Sequence, residues 1–195
     1  MGRRMGGNKL FLAAEGNLLF NRILSRLSPF FAETLIAVGP EDRDPLEKLL
    51  SGRGSKWPVK VTVDACKGRG PLEGLASSLE ALGTDWAFLI GCDMLQVQEI
   101  VVRTMWTARK QDSDVICARL EGFLEPLHAF YSVSCLPAVG KALISGQRKL
   151  KSFYDWVNVT VVEENTLSHL PGYRRSFQDV NTPEEFLRMM DPRLP

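Results

Sequence analysis

Two kinds of hydrophobic run alternate along the chain. From Asn17 to Phe31, Leu18, Leu19, Ile23, Leu24 and Leu27 recur at spacings of three and four, the period of one helix face, until Pro29 disturbs it. Thr34-Leu35-Ile36-Ala37-Val38 is instead a short continuous apolar run closed by Gly39-Pro40, which predicts a buried strand. Asp44 to Leu50 reads as a short helix with Asp44 as N-cap and Pro45 at the first helical position. Val59 to Val63 predicts a second strand ending at Asp64. A loop, Ala65 to Gly70, leads into a helix over Pro71 to Leu82. Trp86-Ala87-Phe88-Leu89-Ile90 is the strongest buried-strand pattern, running into Gly91-Cys92-Asp93 and then a helix over Gln98 to Lys110.

In the second half, Asp114 to Ala118 and Leu127 to Ser132 predict strands joined through a loop containing Gly122. Cys135 to Ile144 and Leu150 to Trp156 read as helices, Val157 to Val162 as a β-branched strand, and Phe177 to Asn181 as a short extended segment. Thr182-Pro183-Glu184-Glu185 opens a last helix, with Thr182 as N-cap and Glu185 completing a capping box. Strands alternating with helices imply an α/β fold, a mostly parallel sheet with helices on both faces, and the shorter later connections make that sheet mixed. With no repeat, low-complexity stretch or linker, residues 1–195 are expected to form a single domain.

Charge narrows the function classes. Twenty-four basic and 23 acidic residues leave a formal net charge of +1, which gives no support for wholesale nucleic-acid or membrane-surface binding. Basic residues matter only where they cluster, at the start of the chain and at Lys67 and Arg69 beside Gly68 and Gly70. Four cysteines without a close pair, and only two histidines, argue against zinc. The start is glycine- and arginine-rich without an apolar segment, so no signal peptide is expected, and no apolar run approaches membrane-spanning length. A reducing, cytoplasmic setting is the expectation.

Four constellations could carry chemistry. Met1-Gly2-Arg3-Arg4-Met5-Gly6-Gly7-Asn8-Lys9 combines glycines, which let backbone N–H groups approach a ligand, with cationic side chains. It is either a polyphosphate-binding loop or a solvated terminus. It is neither the Gly-Lys-Ser/Thr loop of nucleoside triphosphatases nor a dinucleotide fingerprint. Asp64 stands at a strand's carboxyl end, and Gly70-Pro71-Leu72-Glu73-Gly74 opens a helix whose N-terminus can attract anions or base edges. The competing reading is loop capping by Asp64 and tight packing at Gly74. Gly91-Cys92-Asp93 puts a carboxylate where a magnesium ion could bridge to substrate phosphates, unless Asp93 only caps the next helix. Asp179 and Asn181 alternate, so their oxygens face one side. His128, between Leu127 and Ala129, reads on the residues alone as a buried, hydrogen-bonded histidine, and Cys92 as packing.

In this order, these segments together with Pro126-Leu127-His128-Ala129 and Tyr131 resemble the molybdenum cofactor guanylyltransferases of the nucleotidyltransferase family. The resemblance implies a Rossmann-like three-layer sandwich of nucleotide-diphospho-sugar transferase type. It implies transfer of GMP from magnesium-bound GTP to molybdopterin-bound molybdenum cofactor, with release of pyrophosphate. On that likeness Lys9 and Arg4 meet the nucleotide phosphates, and Asp64, Gly70 and Gly74 meet the nucleoside. Asp93 holds Mg2+ and serves with Lys9 and Arg4 as the catalytic set, while His128 and Asn181 face the pterin. Other cofactor-biosynthesis proteins and molybdoenzymes are the implied further partners. The sequence departs from the family in three ways. The family motif opens with a strand ending in Leu-Ala-Gly-Gly, which is expected ahead of Met1 and is not present in this sequence. Asp179 replaces the first Asn of Asn-x-Asn-Thr-Pro, and a family asparagine falls near Gly39. Cytidylyl transfer, transfer to a sugar phosphate, and a non-catalytic relative are the alternatives.

Overall fold

The computed structural model describes residues 13–14, 17–18, 20–53, 57–64, 70–182 and 185–186. Arg4, Lys9, Lys67, Arg69, Pro183 and Glu184 lie outside them. The described chain forms β1 (Ala13–Ala14) and β2 (Asn17–Leu18), an antiparallel pair, followed by α1 (Phe20–Leu27), β3 (Thr34–Val38) and α2 (Arg43–Arg53). Then come β4 (Val59–Val63), α3 (Pro71–Ala81), β5 (Trp86–Ile90), α4 (Glu99–Thr107), β6 (Val115–Leu120), β7 (Phe123–Ser132) and α5 (Leu136–Ile144). β8 (Val159–Glu163) and the one-turn helices α6 (Glu164–Leu167) and α7 (Tyr173–Ser176) complete the order.

β3 and β4 pair in parallel, from Thr34 opposite Val59 to Val38 opposite Val63. The other sheet has the order β5-β7-β6-β8. β7 runs antiparallel to both β5 and β6, and β8 parallel to β6, so β5, β6 and β8 share one direction. This is the expected mixed α/β arrangement. Side-chain alternation on β6 divides the interior: Ile116, Ala118 and Leu120 face a cluster with Val101, Val102 and Met105 of α4. Val115 and Cys117 face Leu72, Leu75 and Leu79 of α3 and Val139 and Ala142 of α5. Helices thus cover both faces, a three-layer sandwich. The helix α1 serves two clusters, with Ile23 and Leu27 in the first and Phe20 and Leu24 against Val38 and Leu46 beside β3.

Several sequence expectations need correction. The first helix is shorter than Asn17 to Phe31, because Asn17–Leu18 pairs with Ala13–Ala14 and Ser28–Phe30 tightens into a 3-10 turn at Pro29. Asp44 does not cap α2; the helix continues directly from a 3-10 turn over Pro40–Asp42, and Asp44 lies in its first turn. Leu150–Trp156 is also 3-10. The turns α6 and α7 were not foreseen, being too short to show a period. Finally, β5 is not fully buried: each of its five residues is partly exposed. Among the described residues it pairs with β7, and its residues line a cavity of about 1480 Å3 together with those of β3.

Candidate nucleotide site

The carboxyl ends of β3, β4 and β5 meet at that cavity. Val38, Gly39, Asp64, Gly91, Cys92 and Asp93 all line it, as do Gly70, Pro71 and Gly74 at the start of α3. A hydrogen bond from Asp64 N–H to Val38 C=O (2.9 Å) ties the ends of β3 and β4. Carboxyl ends of parallel strands are where α/β sheets collect ligands.

Gly70 is the N-cap of α3, at φ +78, with Pro71 at the next position. A β-carbon there would be strained and would stand 3.1 Å from the Arg148 carbonyl oxygen. At Gly74 a β-carbon would lie 3.4 Å from Ala37 Cβ and 3.5 Å from Asp64 Oδ1, so α3 lies close over β3 and the carboxylate. Both readings of this segment hold together, since the close packing at Gly74 is what keeps the Asp64 carboxylate at the helix start.

Burial, and secondarily the charge of Glu73, push the Asp64 carboxyl up to about 6. Its Oδ1 is enclosed without a hydrogen-bond partner, as is Glu73 Oε2. Glu73 is only 5% exposed, the one buried carboxylate side chain among the described residues. Two such oxygens beside a helix N-terminus form a strongly acceptor-rich corner, with backbone N–H donors next to it. Sequence reading passed over Glu73 because a glutamate in a helix's first turn is ordinary.

Asp93 does not cap α4, whose N-cap is Gln98. Instead, a turn from Met94 N–H to Gly91 C=O (3.1 Å) holds Asp93 half-buried at the cavity wall. A β-carbon on Gly91 would fall 2.7 Å from Asp93 Oδ1, so only glycine lets the carboxylate fold back over the strand end. Val180 N–H donates to the Asp93 carbonyl at 3.0 Å and brings the Asp179–Asn181 segment alongside. There Val180 is buried while Asp179 and Asn181 are exposed, as the alternation required. The Thr182–Glu185 capping box is present: Glu185 N–H donates to Thr182 Oγ1 (3.1 Å), and Glu185 Oε2 accepts from Asn181 and Thr182 N–H (2.6 and 3.2 Å). No group of three or more His, Cys, Asp or Glu suited to a metal occurs among the described residues. A single carboxylate with neighbouring oxygen donors suits a magnesium ion that takes its remaining ligands from water and phosphates.

His128 does not face a pterin. Strand alternation turns Leu127 to the cavity wall and His128 into the core, where it is 0% exposed. Its Nε2 lies 2.9 Å from Ser176 Oγ, and its ring packs against Phe177 at 4.1 Å and Phe88 at 5.0 Å. Ser176 Oγ accepts from Gln98 N–H (3.0 Å), so its own proton is free to go to Nε2. Burial pushes the imidazole down to about 3, which keeps it neutral. The buried, hydrogen-bonded reading is the one that holds.

The structure also brings up a basic run that the sequence reading missed. Arg148, Lys149 and Lys151 are exposed, and Arg148 lies directly against Gly70. Glu125 is raised by burial and then by Asp179, with Lys151 acting the other way, so these groups stand close together. Nothing in local sequence links the 148–151 run to Gly70; only the tertiary fold does.

Comparison with known proteins gives this cavity its context. Residues 1–162 match the family model of the MobA-like NTP transferase domain. The probable molybdenum cofactor guanylyltransferase of Pelotomaculum thermopropionicum is 29% identical over 186 residues, 95% of this chain and 85% of the relative. The molybdenum cofactor guanylyltransferase of Desulfosudis oleivorans is 27% identical over 180 residues, covering 92% and 84%. Among solved structures, molybdopterin-guanine dinucleotide biosynthesis protein A from Archaeoglobus fulgidus superposes with a TM-score of 0.78 at 26% identity, covering 96% of this chain and 91% of that one. A 4-diphosphocytidyl-2C-methyl-D-erythritol synthase from Anaerococcus prevotii shares the fold, with a TM-score of 0.63 at 12% identity over 91% and 90% of the chains. The chain belongs to the MobA-like NTP transferase family.

Proposed function

We propose that this protein transfers the GMP moiety of GTP to the terminal phosphate of the molybdopterin cofactor, releasing pyrophosphate and forming the guanine dinucleotide cofactor. One observation carries the reading. In a chain of this family, Asp64, Gly70, Gly74 and Asp93, from three stretches of sequence, line one cavity at the carboxyl ends of β4 and β5. The names of the relatives from Pelotomaculum and Desulfosudis, and of the Archaeoglobus protein, support GTP as donor and molybdopterin as acceptor.

An acceptor phosphate oxygen attacks the α-phosphorus as the bond to the bridging oxygen breaks, and pyrophosphate leaves with that electron pair. Such a transfer needs in-line positioning and charge neutralisation rather than a covalent catalyst. Asp64 and the Gly70–Gly74 turn hold the nucleoside, and Arg4 and Lys9 neutralise the phosphates. Asp93 would hold Mg2+, which supplies charge neutralisation on the triphosphate when bound, and the adjoining Asn181 faces the acceptor. Arg148, which lies against Gly70, and the exposed Lys149 and Lys151 that follow it give the acceptor phosphate a positive surface. Cytoplasmic action, with the product passed on to molybdoenzymes, agrees with the buried thiols of Cys117 and Cys135.

Calorimetric titration of the full chain with GTP, CTP and UTP in the presence of magnesium tests the donor. GTP is expected to bind about tenfold or more tightly than the pyrimidine nucleotides. Equal affinities would overturn the guanylyl reading.

A further inference from the structure

β7 breaks its register with β6 at one place. Cys117 lies opposite Ala129 and Arg119 opposite Leu124, so Glu125, Pro126, Leu127 and His128 all stand against Ala118. Such a bulge bends a strand and re-aims its side chains, and a proline, which has no ladder donor, is tolerated there. On its other side β7 keeps its pairing with β5 as far as His128 opposite Ile90, and Gly91 N–H donates to Leu127 C=O at 3.0 Å. From the core, Tyr131 Oη–H donates to Pro126 C=O at 2.8 Å. With that proton committed, Tyr154 Oη–H donates to Tyr131 Oη at 2.7 Å. Both phenols belong to the α3–α5 cluster. The bulge is therefore anchored both in the core and to the strand that leads to Asp93.

What the bulge presents is Glu125. It is half-buried, whereas Leu127 turns to the cavity wall and His128 into the core. Burial raises its carboxyl, the charge of Asp179 adds to that, and Lys151 opposes it, so the three groups stand close together. Each neighbour leads to a different part of the site. Lys151 belongs to the run whose Arg148 lies against Gly70. Asp179 precedes Val180, whose N–H donates to the Asp93 carbonyl. Glu125 thus joins the basic run to the Asp93 end of the site.

A half-buried carboxylate with like charge beside it gains most from a ligand that brings hydrogen-bond donors. The ammonium of Lys151 disfavours a metal ion there. Two carboxylate oxygens match two neighbouring N–H groups, and a pterin ring carries such a pair in its N3–H and its 2-amino group. A phosphate, which offers acceptors, belongs on the basic run instead.

We infer that Glu125 reads the pterin ring of the acceptor, its two oxygens accepting from N3–H and the 2-amino group while the basic run takes the phosphate. This rests on molybdopterin being the acceptor, as proposed above. It makes Glu125 a specificity residue for the acceptor, with no part in the transfer step.

The full chain and its Glu125→Gln variant are titrated with pterin and with lumazine, which carries an oxo group in place of the 2-amino group. The ligands' own fluorescence is the readout, and a parallel calorimetric titration with GTP and magnesium reports on the donor side. The full chain is expected to bind pterin about tenfold or more tightly than lumazine. In Glu125→Gln that ratio should fall to about threefold or less, with GTP affinity retained. No binding of pterin, equal binding of the two rings by the full chain, or an unchanged ratio in the variant would overturn the inference. Loss of GTP affinity in the variant would overturn it too, making Glu125 a structural part of the bulge. The ring titrations contain no nucleotide, so they can fail while the GTP preference stands, and the reverse.

Discussion

Asp64 is half-buried on the cavity wall, with Glu73 on α3 and Glu41 ahead of α2 adding like charge and Ser77 a hydrogen bond. Its folded value of about 6 lies above the ordinary carboxylate value of 3.8, so between those limits the folded state binds more protons than the unfolded one. Stability from this group is therefore full below about 4 and is lost as pH rises through about 6. Asp64→Asn should raise the melting temperature at pH 8 by about 2 °C and remove that slope, while weakening GTP binding; melts from pH 4 to 8 with paired titrations check both. Asp93→Ala should lower turnover on the order of a hundredfold with an unchanged melt, since the carboxylate stands at the cavity wall rather than capping a helix. Gly91→Ala should cut turnover about tenfold, because its β-carbon has to displace Asp93. The positions of Asp64, Gly74 and Asp93 on the cavity wall were legible in sequence because each follows a strand or lies in the first turn of a helix. His128 was misassigned by family likeness, and period-2 alternation after Leu127 already carried the signal that turns it into the core. Glu73 and the 148–151 run were invisible, because their meaning depends on neighbours far away in sequence.

The elements were read most faithfully where one local pattern dominates. β3, β4 and β5 begin and end at the residues expected from their apolar runs, and α3 starts at Pro71 after a glycine cap. Errors gathered where tertiary contacts decide. Asn17–Leu18 pairs as a strand instead of joining α1, and β7 begins at Phe123, four residues earlier than its apolar run, because a turn with Glu121 at φ 50 and Gly122 at φ 87 folds it straight back on β6. The 3-10 turn over Leu150–Trp156 is positioned by Leu150, Phe153 and Tyr154 in the α3–α5 cluster rather than by helix periodicity. The capping box at Thr182 and Glu185 was readable from spacing alone, and it fixes the backbone at Asn181. Thr182→Ala should cost about 1 kcal/mol in urea unfolding and weaken acceptor binding more than GTP binding. An equal effect on both ligands would detach Asn181 from the acceptor side.

For the molecule as a whole, stability is concentrated in the β5–β8 sheet, where Val115, Ile116, Cys117 and Ala118 are fully buried between helices on both faces. The β3–β4 pair is held to that sheet by α1, α3 and the Glu33–Gly83 bond across a cavity. Amides of β3 and β5 should therefore exchange faster than those of β6, which is paired on both sides. The same cavity gathers Asp64, Gly70, Gly74 and Asp93, so sheet geometry and the proposed chemistry meet in one feature of this fold. The fold class and the order of the site segments could be read from sequence; that two half-sheets face each other across a gap could not, since each strand's pattern reports burial and not its neighbour. The account's central claim is guanylyl transfer at this cavity. The most direct measurement incubates the full chain with magnesium, molybdopterin cofactor and either GTP or CTP, and identifies the products by mass. The account predicts pyrophosphate and the guanine dinucleotide cofactor from GTP and about a hundredfold less of either from the Asp93→Ala chain, whereas equal or greater product from CTP, or undiminished product from the variant, would contradict it.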